Sequence, residues 1–403
     1  VNHLISAEDK RLLRVVSNPD NTSQKITIST PHFYFTNRDG SLRWVFPADL
    51  KFPSFLNFYN QSNIRSRIFK ILLNSVFYLN VVARILLKRC LIDFSEGSIL
   101  TDIINRNPGC NYSIFMGTAG ENRKIIVEIN RKRRTLSFVK IAVSESAVQL
   151  VNNECRILRL LDARDSVSFR VPKVLSHTSG IVEVTNIKFS GAYQSSNLLP
   201  MHLRALNELV SIGSSNITYN ELPAKTAVLK AIECLKNRPP NADNNGIELP
   251  SLLLKLEAIS KLLHHDSAMC CGMSHGDFTP WNMFIKDDLL YILDWEMSSE
   301  NFPIFFDLFH YVFQAEILLN RSDYGIIKEK IVLVLMEDFT SRITNSFNVD
   351  INQHFIFYLI FNITKYLNLY VEQDVPHIQI YWLVAVWEEA LQDIIDNDGE
   401  PFK

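Results

Sequence analysis

Along the 403-residue chain the pattern of apolar and polar positions changes character several times. From Tyr112 it runs in short stretches, YSIFM, KIIVEIN and TLSFVKIA, separated by the turns GTAGENR and RKRR, and predicts a three-stranded antiparallel meander. SESAVQLVNNECRILRLL follows with apolar residues at helical spacing behind a serine N-cap, and predicts one helix. Further strands are expected at Lys173 to Ser176 and Ile181 to Asn186. After PMHLRALNELV the pattern is mainly helical. Helices are expected near Pro250 to His264, Phe305 to Leu319, Tyr324 to Phe347, Gln353 to Val371 and Ile378 to Ile395, with a loop at Asn237 to Gly246.

Residues 1 to about 105 are mixed: a strand at Lys25 to Ser29, aromatic-rich loops, then a helical stretch from Ile64 to Arg89. That stretch carries Arg65, Arg67, Lys70, Arg84, Lys88 and Arg89 around a broad apolar face. Two readings are open for it, packing on the main domain or peripheral contact with an anionic membrane surface. Its most apolar run, Ile71 to Ala83, falls short of the roughly 18 residues a membrane span needs. The expected division is therefore 1–105, of unreadable role, then 106–190 and 191–403.

Composition narrows the class. Hydrophobic content of 47% with 21% charge describes a folded globular chain. Forty-one basic residues against 43 acidic ones give no field for nucleic acid, which is not an expected partner. The six cysteines form no C-x-x-C pair and indicate neither a disulfide scaffold nor a zinc site, as suits a reducing cytoplasm. No apolar core with a small-residue cleavage site follows the N-terminus, so a cytoplasmic location is expected.

Candidate chemistry concentrates between Ser274 and Glu296. SHGDFTPWNMF sets out His275, Asp277 and Asn282 as H-G-D-x-x-x-x-N, and YILDWE adds Asp294. Phosphoryl transfer needs those residue types: a carboxylate beside the acceptor hydroxyl, ligands for a metal, and a cation on the phosphates. The joint spacing, with a strand-rich segment upstream, carries more weight than the HGD triplet alone.

These residues resemble the catalytic loop and metal aspartate of the aminoglycoside phosphotransferase and choline kinase group of protein-kinase-like enzymes. The resemblance implies an α+β, bilobal fold with a small antiparallel-sheet N-lobe and a larger, mainly helical C-lobe, here with an additional N-terminal region. It implies ATP or GTP and Mg2+ as cofactors, with Asp277 as catalytic base or acceptor-orienting carboxylate. Asn282 and Asp294 are then the metal ligands, and His275 buttresses the loop. Such an enzyme needs a strand lysine on the phosphates and a helix carboxylate to hold it; Lys140 in SFVKIA and Glu154, inside the apolar stripe of the next helix, are the candidates, with Glu145 a weaker partner. Gly117 and Gly120 lie where a phosphate-covering loop belongs, and the segment near Val184 to Ile187 is where adenine is expected. Asp307 is either an anchor of the catalytic loop or a helix N-terminal charge.

Trp295-Glu296 replaces Phe-Gly after the metal aspartate, and Glu296 is either a further metal or substrate contact or a solvated carboxylate. Only 12 residues separate Asp294 from Asp307, too few for a peptide-binding activation segment, and Thr279 stands where many protein kinases have lysine. The expected acceptor is thus a small-molecule hydroxyl: a sugar, an amino-alcohol or an aminoglycoside. Tyr381, Trp382, Trp387, Glu388, Glu389 and Asp393 are a candidate lining, or else an amphipathic helix with carboxylates in water. The alternatives are a nucleotide-binding pseudokinase or scaffold, and a membrane-peripheral kinase acting on a surface-polysaccharide or lipid-linked precursor.

Overall fold

Strand pairing in the first half of the chain reaches further towards the N-terminus than the alternating pattern indicates. The computed structural model describes residues 6–17, 27–37, 39–50, 52, 54–57, 64–78, 87–238, 247–263, 268–371 and 377–402. They fall into two compact units, 1–163 with 172–187, and 164–171 with 188–403.

In the first unit the meander forms as β4 (Asn111–Phe115), β5 (Lys124–Arg131) and β6 (Arg134–Ala142). The hairpin β8 (Val174–Thr178) and β9 (Ile181–Thr185) adds to β6. On the other side β4 pairs with β2 (Leu42–Pro47), which pairs with β1 (Thr27–Thr36), and that in turn with β3 (Lys88–Ser95). The result is an eight-stranded sheet among the described residues, ordered β3-β1-β2-β4-β5-β6-β9-β8. The expected boundary near residue 105 is therefore not a break between bodies, because backbone hydrogen bonds run across it.

Two apolar clusters follow from the alternation of side chains across the sheet. One packs Leu12, Leu13 and Val16 of α1 (Ala7–Ser17) and Leu100 and Ile103 of α3 (Ile99–Arg106) on Val45, Ile114, Val127 and Val139. The other gathers Phe33, Trp44, Phe46 and Phe55 with Leu73 and Phe77 of α2 (Ile64–Tyr78). Trp44 stacks on Phe55 at 5.0 Å and lies 4.8 Å from Phe115 of β4, so the N-terminal strands and the meander share a core. Of the helix expected to run to Arg89, the described residues carry α2 as far as Tyr78, and Lys88 already begins β3. Cys90 and Ile92 are buried while Leu91 and Asp93 are exposed, a period of two that only a strand satisfies; Arg84 lies outside the described residues. Ile68, Ile71 and Leu72 of α2 are exposed. Deleting residues 1–106 is expected to bare this aromatic core and the β4 edge. The truncated protein should scatter light and lose its cooperative melt by circular dichroism, and an unchanged melt would contradict the shared core.

The second unit holds two three-stranded sheets. One is β10 (Ser215–Thr218), β11 (Ala268–Ser274) and β14 (Ser299–Pro303); the other is β12 (Met283–Lys286), β13 (Leu289–Ile292) and β7 (Phe169–Arg170). The remainder is helical: α5 (Pro200–Val210), α6 (Pro223–Lys236), α7 (Leu249–Ser260), α8 (Phe306–Gln314), α9 (Tyr324–Leu335), α10 (Asp338–Phe347), α11 (Ile351–Val371) and α12 (Gln379–Asp396). The single helix expected over Tyr324 to Phe347 is two, α9 and α10, parted where Glu337 takes an extended backbone. Residues 239–246 of the expected loop and His264 lie outside the described residues. No described helix is long and apolar enough to cross a membrane.

Candidate active site

In the first unit, β6 turns Val139 and Ile141 into the core and Lys140 to the opposite face, against α4 (Glu145–Asp162). Lys140 Nζ lies 2.7 Å from Glu154 Oε1, with the lysine 12% and the glutamate 1% exposed. Burial explains the choice of partner: Glu145 sits exposed in the first turn of α4, while Glu154 is inside its apolar face. Gly117 has φ +72°, and a Cβ there would lie 2.2 Å from the Lys124 carbonyl oxygen, so the turn after β4 requires glycine. Gly120, at φ +143°, has open space around it. Val184, in β9, and Ile187 at the end of this unit are both buried.

In the second unit the site is built on a loop and a hairpin. The loop leaves β11 at Ser274, and Gly276 takes φ +77° with its missing Cβ facing the Met297 carbonyl. Asp307, 5% exposed at the start of α8, accepts both backbone N–H groups of this turn, from His275 at 2.6 Å and from Gly276 at 2.9 Å. Burial pushes the Asp307 carboxyl up against the opposing pull of His275, these hydrogen bonds and His310. Asp307 thus clamps the loop as well as opening a helix.

His275 is fully buried. Its Nε2 donates to the Leu293 carbonyl at 2.8 Å, which leaves Nδ1 to accept the Asp277 N–H at 3.2 Å. Trp295, also buried, packs edge-on to that ring at 4.6 Å and fills the space beneath the loop. The residue that departs from Phe-Gly is therefore a packing residue for His275.

Asp277 presents its carboxylate between two donors. Asn282 Nδ2 reaches Oδ2 at 2.8 Å and the Asp277 carbonyl at 3.0 Å, while His310 Nε2 lies 3.1 Å from Oδ1. Burial alone would raise this carboxyl, but the hydrogen bond from His310, with the charges of His310 and Lys365, holds it down to about 2. It is an anion throughout the neutral range.

The hairpin brings Asn282 and Asp294 to one end. Asp287 and Asp288, both at positive φ, form a two-residue turn that pairs Lys286 with Leu289 and, at the far end, Met283 with Ile292. Asn282 precedes the first strand and Asp294 follows the second, and the Leu293 N–H donates to the Asn282 carbonyl at 2.8 Å. Asp294 itself sits in the left-handed region at φ +65°, a strained setting for a residue with a side chain and one that clusters at functional sites. The amide hydrogens of Asn282 are committed to Asp277, so what it offers a cation is its oxygen. An amide oxygen and a carboxylate are the hard donors that Mg2+ takes.

No family model and no curated protein matches the chain. Solved structures do. A crystal structure of choline kinase LicA from Streptococcus pneumoniae aligns with a TM-score of 0.46 at 16% identity, covering 74% of this chain and 98% of that one. An ADP-bound aminoglycoside phosphotransferase aligns at 0.42 and 12% identity over 75% and 97% of the two chains. An amicoumacin kinase gives 0.41 and 10% identity over 70% and 88%. Each likeness is one of fold.

Two residues whose charges act on Asp277 were not legible as site residues. His310 lies in FFDLFHYVFQ, whose apolar density reads only as core, and Lys365 is one cation on a long buried helix. The proposed C-terminal lining is used differently. Asp393 binds Lys328 Nζ and Tyr324 Oη at 2.9 Å, Glu389 accepts the Tyr324 N–H, and Trp387 is buried, so these residues tie α12 to α9. Tyr381 is exposed and Trp382 lies under the Arg321 guanidinium.

Proposed function

We propose that the protein is an ATP- or GTP-dependent phosphotransferase that delivers the γ-phosphoryl group to a hydroxyl of a small molecule. The observation that carries this reading is the Asp277 carboxylate, held at both oxygens by Asn282 and His310 on a loop clamped by Asp307. A loose, metaphosphate-like transfer asks for an oriented hydroxyl more than for a strong base. A carboxylate with pKa near 2 suits that work, since it orients the O–H and takes its proton as the new bond to phosphorus forms. Asn282 and Asp294 would hold Mg2+, which would supply positive charge against that of the nucleotide phosphates. Lys140, fixed by Glu154, is the cation for the nucleotide phosphates, and the Gly117 turn offers backbone N–H groups near them. Support for a small acceptor comes from the short interval between Asp294 and Asp307, filled here by a single helical turn and β14.

The test is nucleotide-dependent thermal stabilisation in the presence of MgCl2. A ligand at about 100 times its Kd contributes about 2.7 kcal/mol to stability, enough to read as a clear rise in Tm. Lys140→Ala and Asp294→Ala are each expected to remove most of that rise. Full stabilisation of both variants would remove the site assignment.

A further inference from the structure

Helix α11 carries Tyr358, Asn362, Lys365 and Tyr366 on one face, at positions i, i+4, i+7 and i+8. Tyr358 and Asn362 are 0% and 1% exposed, yet Tyr358 Oη and Asn362 Nδ2 have no hydrogen-bond partner among the described residues. The same holds for Nδ1 of His310, whose ring lies 6.3 Å from that of Tyr358 and whose other nitrogen holds Asp277. Buried polar atoms without partners are uncommon and mark places where a polar ligand or ordered water belongs. Lys365 is largely buried, and its ammonium joins no ion pair or hydrogen bond among the described residues; Nζ stands 5.9 Å from the centre of the Tyr366 ring. Asp277 and Glu296 are close enough for their charges to act on it, which places the ammonium on the Asp277 side of α11.

We propose that this face of α11, together with His310, is the acceptor wall, and that Lys365 selects an acceptor bearing an anionic group, carboxylate or phosphate, beside the hydroxyl to be phosphorylated. The proposal rests on the phosphotransferase reading of Asp277. The ammonium pairs with the acceptor's acid group, a charge-assisted contact that supplies the partner Lys365 lacks. With Nε2 donating to Asp277, His310 Nδ1 takes a second hydroxyl proton when the ring is neutral and donates to a hydroxyl oxygen when it is charged; Asn362 Nδ2 donates to a hydroxyl oxygen, and Tyr358 Oη does either. In the transfer, the acceptor oxygen forms its bond to the γ-phosphorus and the bond from that phosphorus to the β-phosphate oxygen breaks. The nucleoside diphosphate leaves with the electron pair, and the hydroxyl proton passes to Asp277. A cationic amino-alcohol or aminoglycoside would bring a second positive charge to Lys365, so the wall selects against that class.

The experiment measures ADP release by the full chain with ATP, MgCl2 and four sets of acceptors: gluconate and glucuronate; glucose 6-phosphate and glycerol 3-phosphate; glucose and glycerol; choline and kanamycin. An acidic member is expected to be used best, the first two sets telling carboxylate from phosphate. Lys365→Met should raise its KM about tenfold or more, as loss of a charge-assisted hydrogen bond implies, and Lys365→Arg should recover most of it. Preference for a neutral or cationic member, use of no acidic member, or an acid preference that survives Lys365→Met would each overturn the proposal. Two controls separate this from failure of the phosphotransferase reading: slow ATP hydrolysis that Asp277→Asn removes, and nucleotide stabilisation that Asp294→Ala removes. With both present, only the acceptor proposal falls; with both absent, the phosphotransferase reading falls as well.

Discussion

Asp277→Asn is expected to lower acceptor phosphorylation by a factor of about 10^2 to 10^4, the usual worth of a positioned proton acceptor, while nucleotide-dependent stabilisation persists. The substitution keeps the shape of the side chain and removes its charge. It also costs a hydrogen bond, because the new amide nitrogen must face either Asn282 Nδ2 or His310 Nε2, both of which donate to Asp277 in the native site. Initial rates at saturating nucleotide measure the effect, and a variant at the native rate would refute the role. The pH dependence follows from the same geometry. A carboxyl depressed to about 2 contributes its stabilisation in full above the ordinary carboxylate range and loses it only as pH falls towards 2. An acid limb in the rate near neutrality therefore belongs to a group other than Asp277.

Glu154→Ala is expected to cost about 1.5–3 kcal/mol of stability, the usual worth of a hydrogen bond to a charged group, because it takes the 2.7 Å carboxylate away from the Lys140 ammonium, which is 12% exposed. Denaturant unfolding followed by circular dichroism reads this as a lower midpoint. Glu154→Gln keeps an amide oxygen in reach of Nζ and should cost less. Both should weaken nucleotide binding, since the lysine loses the carboxylate that aims it. An alanine variant as stable as the native chain would show that the Glu154 carboxylate adds nothing to the hold on Lys140.

Local signals made the meander, α4 and the catalytic loop readable. β4 to β6 are short apolar stretches bounded by turns, β6 with a clear alternation, and α4 has its serine cap and an apolar stripe that already held Glu154. Of the N-terminal strands only the start of β1 was legible, in the strand expected at Lys25 to Ser29, of which Lys25 and Ile26 lie outside the described residues; the rest of β1 contains Pro31 and lies among aromatics, and its pairing with β2 and β3 spans long sequence separations. The apolar run after Ile64 has no breaker, so periodicity carried the expected helix on to Lys88 and Arg89, which open a strand where Cys90 and Ile92 alternate with exposed residues. β11 and β14 escaped notice for a related reason: AMCCGMS and SENFP show no alternation, and their pairing is set by tertiary contacts. In the site, Asp277, Asn282 and Asp294 sit at fixed offsets that a sequence displays. His310 reaches Asp277 from 33 positions away through the packing of α8, and no local pattern encodes that.

The continued sheet changes which strand edge the first unit shows to its surroundings. Without β1 to β3, the open ladder would be that of β4, whose Tyr112, Ile114 and Phe115 are the sort of apolar template on which a stray strand from another molecule grows. With them, one outer ladder is β3, where Lys88, Arg89 and Asp93 stand exposed. Charges on an outermost strand oppose strand-by-strand growth, so at this edge Lys88, Arg89 and Asp93 guard the unit against aggregation.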